Sequence, residues 1–184
     1  MRYLASPAQL RASVMRWALF TVPAVLGLGF LSGYGSGSGP VSPWFNALEK
    51  PGLYPPPATF GIVWSILYVM MGVALALVIA ARGAPGRGPA VIAFLVGFAL
   101  NLSWSPVFFA MHRMSLALGI IGGMAVVTLV TIVLFWRVRA LAGALLLPYM
   151  AWICFAALLN YQILALNPQA DGAPDPAPTV RIQL

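Results

Sequence analysis

Charge is scarce in this sequence. Asp, Glu, Lys and Arg make up only 7% of its 184 residues, against about 25% in soluble domains. Such a chain cannot cover a water-facing surface, so a soluble globular fold is excluded. Acids number three: Glu49, Asp171 and Asp175. None lies inside an apolar run, so paired-carboxylate catalysis has little to work with. A proton-coupled pump would place an ionisable group within the membrane, and no apolar run here carries one, which argues against active transport. One histidine, His112, excludes a His-based metal cluster in one chain. One cysteine, Cys154, excludes an internal disulfide and reads as a packed thiol. P-loop, zinc and nucleophile-elbow motifs are absent. We therefore assign no catalytic residue, no metal and no required cofactor.

Apolar residues are abundant, at 61% of the chain. A membrane-spanning helix needs ~20 predominantly apolar residues, and five stretches qualify: 16–34, 58–81, 89–110, 115–136 and 142–166. Strand-like alternation is missing, so the fold class is all-α, a bundle of five transmembrane helices. Arg2, Arg11, Arg16, Arg82, Arg87, Arg137 and Arg139 fall on one side of that bundle. Lys50, Arg113 and Arg181 fall on the other with the three acids. Arginine-rich ends face the cytoplasm, so if the membrane is an energised inner one the N-terminus is expected inside; a bacterial source is expected. The arginines form no dense stripe, and no nucleic-acid partner is expected.

The first run is longer than a signal-peptide core and has no clear cleavage site, so it is read as a retained helix. Residues 1–15 form a lead at the membrane surface. Residues 35–57 form the longest internal loop, with a flexible Gly/Ser start and a stiff end, "EKPGLYPPP". Residues 167–184, rich in Pro, Ala and Asp, read as a disordered tail. Small residues recur every fourth position at Gly72, Ala76 and Ala80, at Ala93 and Gly97, and at Gly119 and Gly123. Such faces let helices approach closely in lipid. They pack the bundle or join two copies, and the third helix is the candidate for the latter.

Three helices carry aromatic and polar residues at helical spacing. Phe60, Trp64 and Tyr68 share one face of the second. Asn101, Trp104 and Phe108 share a face of the third, and Trp152, Ala156 and Asn160 a face of the fifth. At ~1.5 Å per residue, Trp64, Trp104 and Asn160 lie ~9 Å from the helix ends that border the long loop. Trp152 lies deeper, ~21 Å from its own helix end. The stripes thus converge beneath that loop, either as a pocket or as packing and interfacial belts. Trp44 reads as a belt residue. Asn101 and Asn160 need partners, which a ligand or an interhelical hydrogen bond would supply. Pro106 and Pro148 are expected to bend their helices by freeing the carbonyls of residues 102 and 144.

The strings "WFNALEKPGLYPPP…FGIVWSILYVMMG", "NLSWSPVFF" and "LLLPYMAWICFAALLNY" resemble the TspO/MBR family, the tryptophan-rich sensory and translocator proteins. The resemblance implies a five-helix bundle, commonly a homodimer, with a ligand cavity opening toward the first loop. It implies porphyrins and related tetrapyrroles as ligands, with a porphyrin or haem-like molecule as a possible occupant rather than a cofactor, and membrane lipid as surroundings. By position, the pocket tryptophans fall on Trp64 and Trp152. The second-helix wall falls on Phe60, Gly61, Val63 and Tyr68, the third-helix contacts on Asn101 and Trp104, and the fifth-helix floor on Ala156 and Leu159. The lid loop carries Trp44, Glu49, Lys50, Leu53, Pro55 and Pro56.

Where the family usually has two further loop-region tryptophans, this chain has Leu53 and Ala58, which is expected to remove stacking surface. The leading expectation is a receptor or sensor for flat apolar ligands. Light- and oxygen-dependent porphyrin breakdown, using Trp64 and Trp152, is the alternative reading, and ligand transport a further one.

Overall fold

The computed structural model describes residues 7–39 and 42–174. Arg2, Asp175 and Arg181 of the charge reading lie outside the described residues, as do 1–6 and 175–184. The elements are α1 (Pro7–Gly35), α2 (Pro43–Ala47), α3 (Pro57–Ala80), α4 (Arg87–Ser105, continued by a π-helical turn over Pro106–Ala110), α5 (Met114–Val138), α6 (Ala140–Leu145) and α7 (Leu147–Leu166). Among the described residues, five helical stretches are long and apolar enough to cross a membrane: α1, α3, α4 with its π turn, α5, and α6 with α7. The chain is an all-helical integral membrane protein.

The bundle closes as a ring. α1 packs along α3 and α4, α4 along α5, α5 along α7, and α6 returns to α3. The ring's outside is apolar: Phe20 is 68% exposed and Val126 64%. Lipid is the solvent that such a surface requires.

The first helix starts nine residues before the expected 16, because 7–15 are its opening turns rather than a separate lead. Pro7 suits a helix's first turn, and the Ala, Leu, Gln and Arg that follow are good helix formers.

Small residues set the tightest contacts. A Cβ on Gly72 would stand 2.6 Å from the Val22 Cα, and the Thr21 hydroxyl donates to the Gly72 carbonyl at 2.7 Å across the same α1–α3 seam. Gly97 packs on Val127 of α5, so this part of the third-helix stripe serves the bundle itself. Gly119 and Gly123 lie on the exposed face of α5. Cys154 is also exposed, not packed, because it points outward from α7; a thiol is apolar enough to sit against lipid.

Both prolines mark the expected irregularities. After Ser105 the helix widens into its π turn, and the Leu102 carbonyl that Pro106 leaves unbonded accepts from the Ser32 hydroxyl of α1 at 2.6 Å. Before Pro148, Leu146 breaks the last span into α6 and α7.

The end of the bundle nearest the long loop is tied together by the segment after α7. Asn167 accepts from the Glu49 N–H at 2.8 Å and donates to the Glu49 carbonyl at 2.9 Å. Gly172 N–H donates to the His112 carbonyl. Asp171 accepts from the Ser115 N–H at the start of α5, a favourable place for an acid. The expected disordered tail is thus corrected for 167–174: composition alone misses a segment whose backbone finds partners in two other loops.

Candidate functional site

The long loop is not loop throughout. Ser42 accepts from the Phe45 N–H at 3.1 Å, and Pro43 occupies the first turn, so "SPWFNA" starts the short helix α2. α2 turns two aromatic rings inward. Trp44 is 3% exposed, which corrects its reading as an interfacial belt residue. It stacks on His112 at 4.3 Å and 9°, meets Phe108 edge-on, and donates from Nε1 to the Ala170 carbonyl. His112 itself has φ +56°, an uncommon backbone conformation, and its Nδ1 lies 2.8 Å from the Ala173 carbonyl oxygen. Phe45 packs against Phe108 and Phe109.

Lys50 folds back over α2. Its ammonium donates to the Phe45 and Leu48 carbonyls and lies 4.6 Å above the Phe45 ring. Both carbonyls lie at the C-terminal end of α2, where the Phe45 carbonyl also accepts from the Leu48 N–H at 3.3 Å. Burial holds its pKa below the ordinary lysine value. Tyr54 follows, its ring 5.3 Å from Phe60 and its phenol pKa pushed up by burial.

Beneath this loop lies a cavity of about 340 Å³, within the size range of small-molecule sites. Lys50, Tyr54 and Phe45 form its mouth. Phe60, Gly61, Trp64 and Tyr68 bring α3 to it; Asn101, Trp104 and Phe108 bring α4; Trp152, Ala156, Leu159 and Asn160 bring α7. The three stripes read from spacing therefore face one space. Trp64 stacks on Tyr68 at 5.0 Å, Trp104 on Phe108 at 5.0 Å, and Trp152 meets Phe60 edge-on at 5.9 Å.

Trp152 is not set apart in depth from the others: its ring meets that of Phe60, in the first turn of α3. Asn167, just past α7, is hydrogen-bonded to Glu49, whereas α3 starts eight residues later at Pro57. Depths counted from the two helix ends do not share an origin.

Other expected residues lie elsewhere. Val63 packs against the core and does not line the cavity. Trp44 supports the mouth from behind. Glu49, Leu53, Pro55 and Pro56 lie off the lining; Leu53 is 57% exposed, and Ala58 is exposed too.

The two buried amides find partners within the protein. Asn101 accepts from the Tyr68 hydroxyl at 3.0 Å and donates to the Tyr149 hydroxyl at 3.1 Å. Asn160 donates to the Met114 carbonyl at 2.9 Å and accepts from Trp104 Nε1 at 3.4 Å. The interhelical alternative accounts for both, and the networks lock ring positions in the wall.

The stripe reasoning missed α1 and α5. Gly29, Phe30 and Gly33 of α1, and Ile121 and Met124 of α5, also line the cavity. The Gly29–Gly33 spacing was a legible signal. A Cβ on Gly29 would lie 2.2 Å from the Tyr68 ring, so that glycine admits the ring.

The TspO/MBR family model matches residues 20–166, from the middle of α1 through the last span, and includes the cavity-lining residues. The chain belongs to the TspO/MBR family. Among its relatives, the Tryptophan-rich protein TspO of Chlorobaculum tepidum is 38% identical over 130 residues, covering 70% of this chain and 82% of that protein. Protein CrtK of Rhodobacter capsulatus is 36% identical over 132 residues, 68% and 79% of the two chains. The human Translocator protein is 37% identical over 123 residues, 64% and 71% of the two chains. Family membership thus spans bacterial and animal relatives.

Proposed function

We propose that this protein is a membrane receptor that binds tetrapyrroles, or similarly flat apolar molecules, in the cavity beneath the first loop. The observation that carries this reading is the cavity's lining: Phe60, Trp64, Trp104 and Trp152 converge on it from three helices. Flat conjugated rings are the ligands that such walls favour, since offset and edge-on ring contacts contribute beyond simple burial. Tyr68, Asn101, Trp104 and Asn160 in the wall already have hydrogen-bond partners within the protein, so an apolar ligand can enter without stripping a partner from these four.

The test is equilibrium binding of protoporphyrin IX to detergent-solubilised protein, read from the porphyrin's own absorbance shift. Each aromatic contact is worth ~0.5–1.5 kcal/mol beyond area. Replacing Trp64 and Trp152 together by Leu is expected to weaken binding by about tenfold or more. Unchanged affinity in a folded double variant would refute this pocket as the site.

A further inference from the structure

We infer that the cavity selects ligands bearing a carboxylate, and that the Lys50 ammonium at its mouth receives that group. The inference rests on the reading of the cavity as a ligand site and adds a chemical class to it.

Among the described residues lining the cavity, Lys50 is the only one with a formal charge. Its placement is fixed. The ammonium is drawn onto the Phe45 and Leu48 carbonyls and over the Phe45 ring, so a flexible side chain is held at the mouth before any ligand arrives.

The charge there is not neutralised. Among the described residues its partners are two carbonyls and one aromatic face, with no acid. Glu49 is exposed, and Asn167 clamps its backbone from both sides. Burial without a counter-ion is also what lowers the pKa of Lys50.

An ammonium has three donors. Two are committed to carbonyls, and one is left for an acceptor. A carboxylate would supply both the acceptor and the missing negative charge in a charge-assisted bond. The apolar walls beyond offer nothing for a second charge. The ligand that fits is a flat apolar body with an acid at the end that faces the loop.

The experiment compares protoporphyrin IX, a dicarboxylic acid, with its dimethyl ester on wild-type protein, Lys50→Gln and Lys50→Arg. The readout is the acid-to-ester affinity ratio, which cancels differences in micelle partitioning between variants. Lys50→Gln is expected to lower that ratio by about tenfold; Lys50→Arg is expected to keep it.

A ratio unchanged in Lys50→Gln overturns the assignment. Equal losses for acid and ester overturn it too, since Lys50 would then act only by capping α2. If neither compound binds the wild-type protein saturably, the receptor reading falls and this inference with it. If both bind and only the ratio fails to move, the receptor reading stands alone.

Discussion

Replacing Gly29 by Ala tests how the cavity wall is built. The added Cβ would stand 2.2 Å from Tyr68 Cε2 and 2.3 Å from its Cζ. Carbon atoms rest about 3.5 Å or more apart, so the ring must retreat by about 1.3 Å. It has little room. Trp64 stacks on one face, Phe30 and Phe98 press on it edge-on, and its hydroxyl is bonded to Asn101. Overpacking of this kind costs ~1–3 kcal/mol, and losing the Tyr68–Asn101 bond adds ~1 kcal/mol. Alanine's better helix propensity returns ~1 kcal/mol. The net loss is about 1–3 kcal/mol, or a melting temperature lower by several degrees. The assay is thermal unfolding in detergent, with Gly27→Ala as the control, because Gly27 is exposed and has no atom within 4 Å of its Cβ site. Porphyrin affinity should fall alongside stability in Gly29→Ala alone, because the displaced ring moves against Trp64. If both variants melt and bind alike, the Gly29–Tyr68 contact does not set this wall.

Other substitutions separate the parts of the structure. Gly72→Ala should destabilise the bundle by roughly 2–3 kcal/mol, because its Cβ meets Val22 backbone rather than a side chain that can turn away; unfolding in a denaturing detergent would show this, and a neutral result would contradict the close α1–α3 seam. Asn167→Ala removes three hydrogen bonds, to both backbone groups of Glu49 and to the Ile163 carbonyl. It should release the loop locally at ~1–3 kcal/mol, seen as faster hydrogen exchange over 44–50; unaltered exchange would mean that the clasp does not hold the loop. Leu53→Trp should change protoporphyrin affinity by less than about twofold, since Leu53 is exposed and off the lining; a large gain would place position 53 over the ligand.

Much of this architecture is written in spacing. Five apolar runs fix the helices, and aromatic residues four apart on α3 point to one face wherever the helix sits. The TspO/MBR motifs place the same residues independently. What stayed hidden depends on contacts between distant segments. Nothing in the composition of "NPQADGAP" distinguishes a solvated tail from one whose Asn167 finds Glu49. Trp44 reads as an interfacial residue until α2 turns it onto His112. The glycines of α1 have meaning only once Tyr68 is opposite them. Cys154 reads as packed because a run that is apolar all round does not say which side faces the lipid.

On the proposed function, ligand sits between Trp64 and Trp152 inside the bundle. Tryptophan fluorescence tests it most directly, in two versions of the protein. One keeps only Trp64 and Trp152; the other keeps only Trp17 and Trp136, which lie outside the cavity lining. The remaining tryptophans are replaced by Phe. Titrated with protoporphyrin IX, the first should quench saturably, with one equivalent per chain, and the second only weakly and without saturation. Saturable quenching confined to the second version would put the ligand on the lipid-facing surface and refute the buried pocket.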